Sequence, residues 1–130
     1  MFSNIKTSSL NKEVVAKLTR RFNLGAENII ARIAIGYSLQ TGLRFDPTDV
    51  KDSGGKEYNR NVLFGHYYPI YLAMICTHYQ IKENNKNILR YFKIHLDHGL
   101  QLINNDITKN PKIIGYDYLF EIINSGIGLI

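Results

Sequence analysis

The sequence predicts one mainly α-helical domain of about five helices, and three observations lead there. At 130 residues with 45% apolar side chains, the chain is long enough to bury one sizeable core and short for two, so residues 1–130 read as one unit. Apolar side chains recur at spacings of three and four over several stretches. Turn residues punctuate those stretches, and neither a repeat of 20 to 50 residues nor a low-complexity block is present.

Taken in order, Ser3 to Thr7 suits a short strand in need of a partner, with Ile5 its large apolar side chain. From Ser9, with Ser9 or Asn11 as cap, Val14, Val15, Leu18 and Phe22 form one apolar stripe. Asn23, Leu24 and Gly25 make a turn, and a second helix from about Ala26 to Gln40 buries Ile29, Ile30, Ile33, Ala34 and Tyr37 before stopping at Gly42. Leu43 to Asn61 is irregular. Within it Asp52-Ser53-Gly54-Gly55 is a turn across which Val50-Lys51 and Lys56-Glu57-Tyr58 are suited to pair as a β-hairpin around residues 50–58, with a surface loop as the equal alternative. The third helix, from about Tyr67 to Gln80 with Pro69 in its first turn, is apolar nearly all round and is expected to be the central buried element. The fourth, about Asn84 to Asn104, is the strongest amphipath, carrying Ile88, Leu89, Phe92, Leu96, Leu100 and Ile103. After Asn110-Pro111 a last helix spans about Tyr116 to Asn124, and the ending from Gly126 to Ile130 is apolar enough to need cover.

Charge is distributed unevenly. Residues 1 to 44 hold seven cations, Lys6, Lys12, Lys17, Arg20, Arg21, Arg32 and Arg44, against Glu13 and Glu27, so the formal +5 of the whole chain is located there; the other 86 residues hold nine charges of each sign. Solubility alone explains a net charge of this size. Its concentration suits a polyanion, because each phosphate neutralised by Lys or Arg releases condensed counterions. Lys17, Arg20 and Arg21 stand at i, i+3 and i+4 of the first helix, which puts three cations on one face. They are the first candidates for phosphate contact, then Lys6 and Lys12, then Arg32 and Arg44.

Catalytic chemistry finds little support. The single Cys76 sits in an apolar run and excludes an internal disulfide; it reads as a small buried hydrophobe. His95 and His98 are three apart on the fourth helix, but no third ligand accompanies them, so solvated polarity is the reading and no metal is expected. Gly54-Gly55-Lys56 resembles a phosphate loop only in part, since Val50 and Glu57 stand where a Gly and a Ser or Thr are required. Tyr58, Arg60, His66, Tyr67 and Tyr68 cluster as in single-strand binders, yet core packing explains the tyrosines more easily. No catalytic residue and no cofactor is expected. The absence of a long apolar run and of a charged-then-apolar opening points to a cytoplasmic, membrane-free protein.

A short strand followed by two helices joined by a tight turn is the order of ribbon-helix-helix repressors, in which the lone strand finds its partner in a second subunit. The run from Lys17 to Leu39 (Lys-Leu-Thr-Arg-Arg-Phe-Asn-Leu-Gly-Ala-Glu-Asn-Ile-Ile-Ala-Arg-Ile-Ala-Ile-Gly-Tyr-Ser-Leu), together with Gly65-His66-Tyr67-Tyr68, resembles the DndE family, the small subunit of bacterial DNA sulfur-modification systems, over essentially the whole chain. The resemblance implies a Met-repressor-like homotetramer that binds double-stranded DNA, prefers a nick, and works with companion Dnd proteins as sulfur replaces a non-bridging phosphate oxygen. Two other readings stay open: an assembly or scaffold subunit that docks on companion proteins without touching DNA, and a sulfur- or phosphate-transfer enzyme with an unrecognised site.

Overall fold

The computed structural model describes residues 2–113 and 115–128. In chain order these form β1 (Asn4–Lys6), α1 (Ser9–Phe22), α2 (Glu27–Gln40), β2 (Glu57–Asn59), α3 (Arg60–Phe64), a 3-10 turn (Gly65–Tyr67), α4 (Tyr68–Tyr79), α5 (Ile88–Lys109) and α6 (Gly115–Gly128). The mainly helical class is as the periodicity predicts. Boundaries shift modestly: α5 starts later and ends later than expected, and α6 runs on to Gly128.

α1 is capped by Ser8, one residue before Ser9 and three before Asn11, the expected caps; its hydroxyl accepts from the Asn11 backbone N–H at 3.3 Å. Asn23 ends the helix in a left-handed conformation (φ 54°), where a short polar side chain is tolerated, and returns its N–H to Arg20 O. Asn11, Val14, Val15, Leu18, Thr19 and Phe22 are the buried stripe, so the opposite face is left to solvent.

The core is a seam between α2 and α5. α5 is 22 residues long, about 33 Å at the α-helical rise. Twelve of those residues are buried, among them Phe92, Leu96, Leu100 and Ile103, which meet Ile30, Ala31, Ala34 and Ile35 of α2 in the same apolar cluster. Gly99 sets how close the helices come: a Cβ there would lie 1.8 Å from the Ala34 carbonyl oxygen. A glycine inside an amphipathic helix is unfavourable by about 1 kcal/mol against alanine and is kept for such an approach.

Three expectations are corrected. α4 is not the central buried element; only Ile75 is fully buried, while Ile70 is 57% exposed and Met74 lies at the surface. No hairpin forms around residues 50–58. β2 instead pairs antiparallel with β1, Ile5 facing Tyr58, and the pairing extends through Thr7 N–H to Lys56 O at 2.9 Å and Gly55 N–H to Thr7 O at 3.0 Å. The β1 strand therefore finds a partner in its own chain, which departs from the ribbon-helix-helix arrangement, although the order strand, helix, helix is kept. α3 and the 3-10 turn were not anticipated; they set Leu63 and Phe64 in the core. The apolar ending from Gly126 lies outside the residues whose side chains are described.

Candidate nucleic-acid interface

With 3.6 residues per turn, the buried stripe of α1 fixes where its cations point. Lys17 and Arg21 are one turn apart, and Arg20 stands beside them towards the middle of the solvent face; all three are exposed. Lys12 is exposed on the opposite flank of the same helix, more than a turn away from Arg20. Among the described residues the ion pairs are Lys56–Glu27 and Lys93–Asp97, so no carboxylate lies within 4.0 Å of Lys12, Lys17, Arg20 or Arg21. Arg20 and Arg21 occupy the last turn, where the helix dipole favours positive charge.

Arg21 is committed differently from its neighbours. Its Nη2 donates to Pro111 O and, at 3.1 Å, to Ile113 O, which ties the connection between α5 and α6 to the end of α1. The same end is closed by Phe22 stacking on Tyr118 with centroids 5.6 Å apart. Lys6 is exposed on β1 directly opposite Glu57. Arg44 is exposed just after α2, in the loop whose Phe45 amide donates to the Tyr79 hydroxyl. Arg32 is half-buried elsewhere, its guanidinium 5.5 Å from the centre of the exposed Tyr67 ring and close to Phe64 O. The structure thus brings Lys17, Arg20 and Arg21 together, and places Lys6, Lys12, Arg32 and Arg44 apart from them.

The aromatic cluster divides. Tyr58 is buried in β2 and Tyr68 packs on Phe64 and Phe92, while Arg60 covers the Tyr68 ring at 4.9 Å. Tyr67, at 55% exposure, is the tyrosine of that group that core packing does not account for. Cys76 is half-buried, and burial and then Glu83 raise its pKa, which favours the inert thiol.

His95 and His98 are not solvated polarity. His95 is fully buried and His98 half-buried, and both Nδ1 atoms lie 2.7 Å from the Ser38 hydroxyl. His95 Nε2 meets the Tyr79 hydroxyl at 2.6 Å, and the Phe45 ring packs on both imidazoles. Burial, then the nearby His78 and His98, pull the pKa of His95 down to about 3, so its imidazole is neutral at ordinary pH. A single hydroxyl proton can serve only one of two acceptors, so at least one imidazole donates to Ser38 Oγ, and the contacts couple the two tautomers. Ser38 itself has no exposure, which leaves a substrate no route to its hydroxyl. Among the described residues no group of three or more His, Cys, Asp or Glu could hold a metal ion.

The family model for the DNA sulphur modification protein DndE matches residues 4–110. The chain belongs to the DndE family. Its fold is similar to the crystal structure of DndE from Escherichia coli B7A involved in DNA phosphorothioation modification, with a TM-score of 0.64 and 19% identity over 77% of this chain and 96% of that one. A comparison with curated proteins gives no match.

In this DndE-family chain, the charge count along the sequence missed one group altogether. Lys93 is buried in α5 and uses its ammonium on Lys6 O (2.7 Å), Asp52 O (2.9 Å) and Asp97 Oδ2 (3.2 Å), while Asp97 accepts from Ser8 N–H and from the Asn11 side-chain Nδ2. This network fixes where α1 begins and therefore which way its cationic face is turned. Its sequence signal is a Lys and an Asp at i, i+4 on the apolar side of an amphipathic helix. No helix among the described residues is long and apolar enough to cross a membrane.

Proposed function

We propose that this DndE-family chain is a non-catalytic DNA-binding subunit of a phosphorothioation system, holding duplex DNA by its sugar-phosphate backbone and positioning companion Dnd proteins. The observation that carries this reading is the cationic face of α1, where Lys17 and Arg20 project to solvent without a carboxylate partner among the described residues. Contacts of that kind fix register without reading bases. A homotetramer would present the face four times and raise avidity without a new type of contact. Preference for a nick follows if the duplex must bend to reach more than one such face, since a break lowers the energy of deformation.

Mobility-shift titration of intact, nicked and single-stranded DNA of one sequence tests it. The expected order of affinity is nicked duplex first, then intact duplex, then single strand. Lys17→Glu with Arg20→Glu should abolish duplex binding with helical content unchanged. Unaltered binding by that protein would move the site elsewhere, and equal affinity for nicked and intact duplex would remove the preference.

The scaffold reading keeps one specific observation in its favour. Ile70, Met74 and Tyr67 expose an apolar strip along α4 and the turn before it, and a groove lined by Leu39, Pro69, Ile70 and Met74 runs beside it. Such a strip suits protein contact better than phosphate. It is compatible with DNA binding by α1, because the two surfaces are carried by different helices.

A further inference from the structure

The connection between α5 and α6 is a built feature. Ile113 N–H donates to Asn110 O at 3.2 Å, closing a β-turn over Asn110-Pro111-Lys112-Ile113, with Pro111 in the second position, where its fixed φ is favoured, and Lys112 in the third. Arg21 Nη2 binds the carbonyl oxygens of Pro111 and Ile113, the residues on either side of Lys112. Gly115 then comes so close to α1 that a Cβ on it would lie 2.8 Å from the Phe22 ring and 3.3 Å from Phe22 Cα. The turn is therefore fastened to the last turn of α1, where Arg20 is exposed, and Lys112 is exposed at its tip. Lys109, also exposed, ends α5 just before the turn. A cation from the electrically balanced part of the sequence, Lys112, is thus carried to the cationic end of α1, with Lys109 three residues before it, beyond the reach of a count along the chain. Lys112 lies outside the residues that match the family model.

We propose that Lys112, with Lys109 beside it, extends the phosphate-binding face of α1, and that Arg21 acts chiefly as the positioning residue that holds this turn in place. The inference rests on the DNA-binding reading above. A guanidinium with one nitrogen given to two carbonyls is a poorer phosphate ligand than its free neighbours, and a lysine in its place would carry its ammonium one bond short of the Nη2 that makes both contacts.

Duplex affinity at about 0.1 M salt is the readout, with thermal melting of each variant to confirm the fold. Counterion release predicts a loss of about 8-fold for each phosphate contact removed at that salt. Lys109→Gln with Lys112→Gln should therefore weaken binding by up to about 60-fold. Arg21→Lys keeps the charge and releases the turn, so it should weaken binding in the native background and have no further effect in the Lys109→Gln, Lys112→Gln background. Additive losses would overturn the positioning role of Arg21. Native affinity in the Lys109→Gln, Lys112→Gln protein, alongside lost binding in the Lys17→Glu, Arg20→Glu protein, would overturn the extension and leave the α1 reading standing. Failure of the native protein to bind duplex at all would overturn both.

Discussion

α4 and α5 invert what their compositions suggest. α4 is apolar on nearly every side and still has one fully buried residue, Ile75; α5 carries Arg90, Lys93, Asp97, Asp106 and Lys109 and lies at the centre of the core. The difference is made by partners. The charges on α5 that enter the core are satisfied there, Lys93 by two carbonyls and Asp97, Asp106 by the hydroxyls of Tyr37 (2.8 Å) and Tyr118 (2.7 Å). Burial and then Asp106 push the Tyr37 phenol up to about 12, and the same causes raise Tyr118, so both stay protonated as donors. α4 has no comparable ties on its outer side among the described residues, and its apolar surplus remains at the surface.

The charged interior of α5 depends most on Lys93. Lys93→Ala leaves Asp97 buried and two carbonyls without a donor, and should cost about 3–5 kcal/mol in urea unfolding. A loss below about 1 kcal/mol would mean that the pair is solvated. Next is Gly99→Ala, which must push α2 and α5 apart at Ala34 because the neighbour is backbone; about 1–3 kcal/mol is expected, measured the same way.

Acid should expose the third difference. The folded pKa of His95, about 3, lies below the value of 6.5 for a free imidazole, so the unfolded chain binds more protons between those limits. Stability is fully present above about pH 6.5 and declines as pH falls towards 3. Asp52, held down at about 2 by the Ser9 hydroxyl and then by the Ser9 and Gly54 amides, adds in the same sense lower down, losing its contribution as pH falls below 3.8. A melting temperature unchanged between pH 7.5 and 4.5 would contradict a neutral, buried His95. The smallest effect is expected on α4: Ile70→Ser should change stability by no more than about 0.5 kcal/mol, and a clear loss that depends on protein concentration would show that a second subunit covers this strip.

The helices were legible because their stripes repeat at helical spacing, as in Val14, Val15, Leu18 and Phe22, and the turn at Asn23 because its residue types allow a left-handed backbone. Which helix occupies the middle was not legible. Hydrophobicity ranks α4 first, whereas position is decided by long-range ties such as Ser8 to Asp97 and by the close approach at Gly99, neither of which leaves a local pattern. The partner of β1 was misplaced for the same reason: β2 lies some fifty residues away, and a turn signal at Gly54-Gly55 suggested a nearer one. Of the candidate site, Lys17, Arg20 and Arg21 were found from i, i+3, i+4 spacing, but that Arg21 grips another turn, and that Lys112 sits on it, required the tertiary fold.

Contact between the solvent face of α1 and phosphate is read in the dependence of duplex affinity on salt. Between about 50 and 200 mM salt, the native protein should lose affinity linearly on logarithmic axes, and Lys17→Gln with Arg20→Gln should lower the slope by about 1.8 for each subunit engaged. Identical slopes for the two proteins would place the DNA on some other surface.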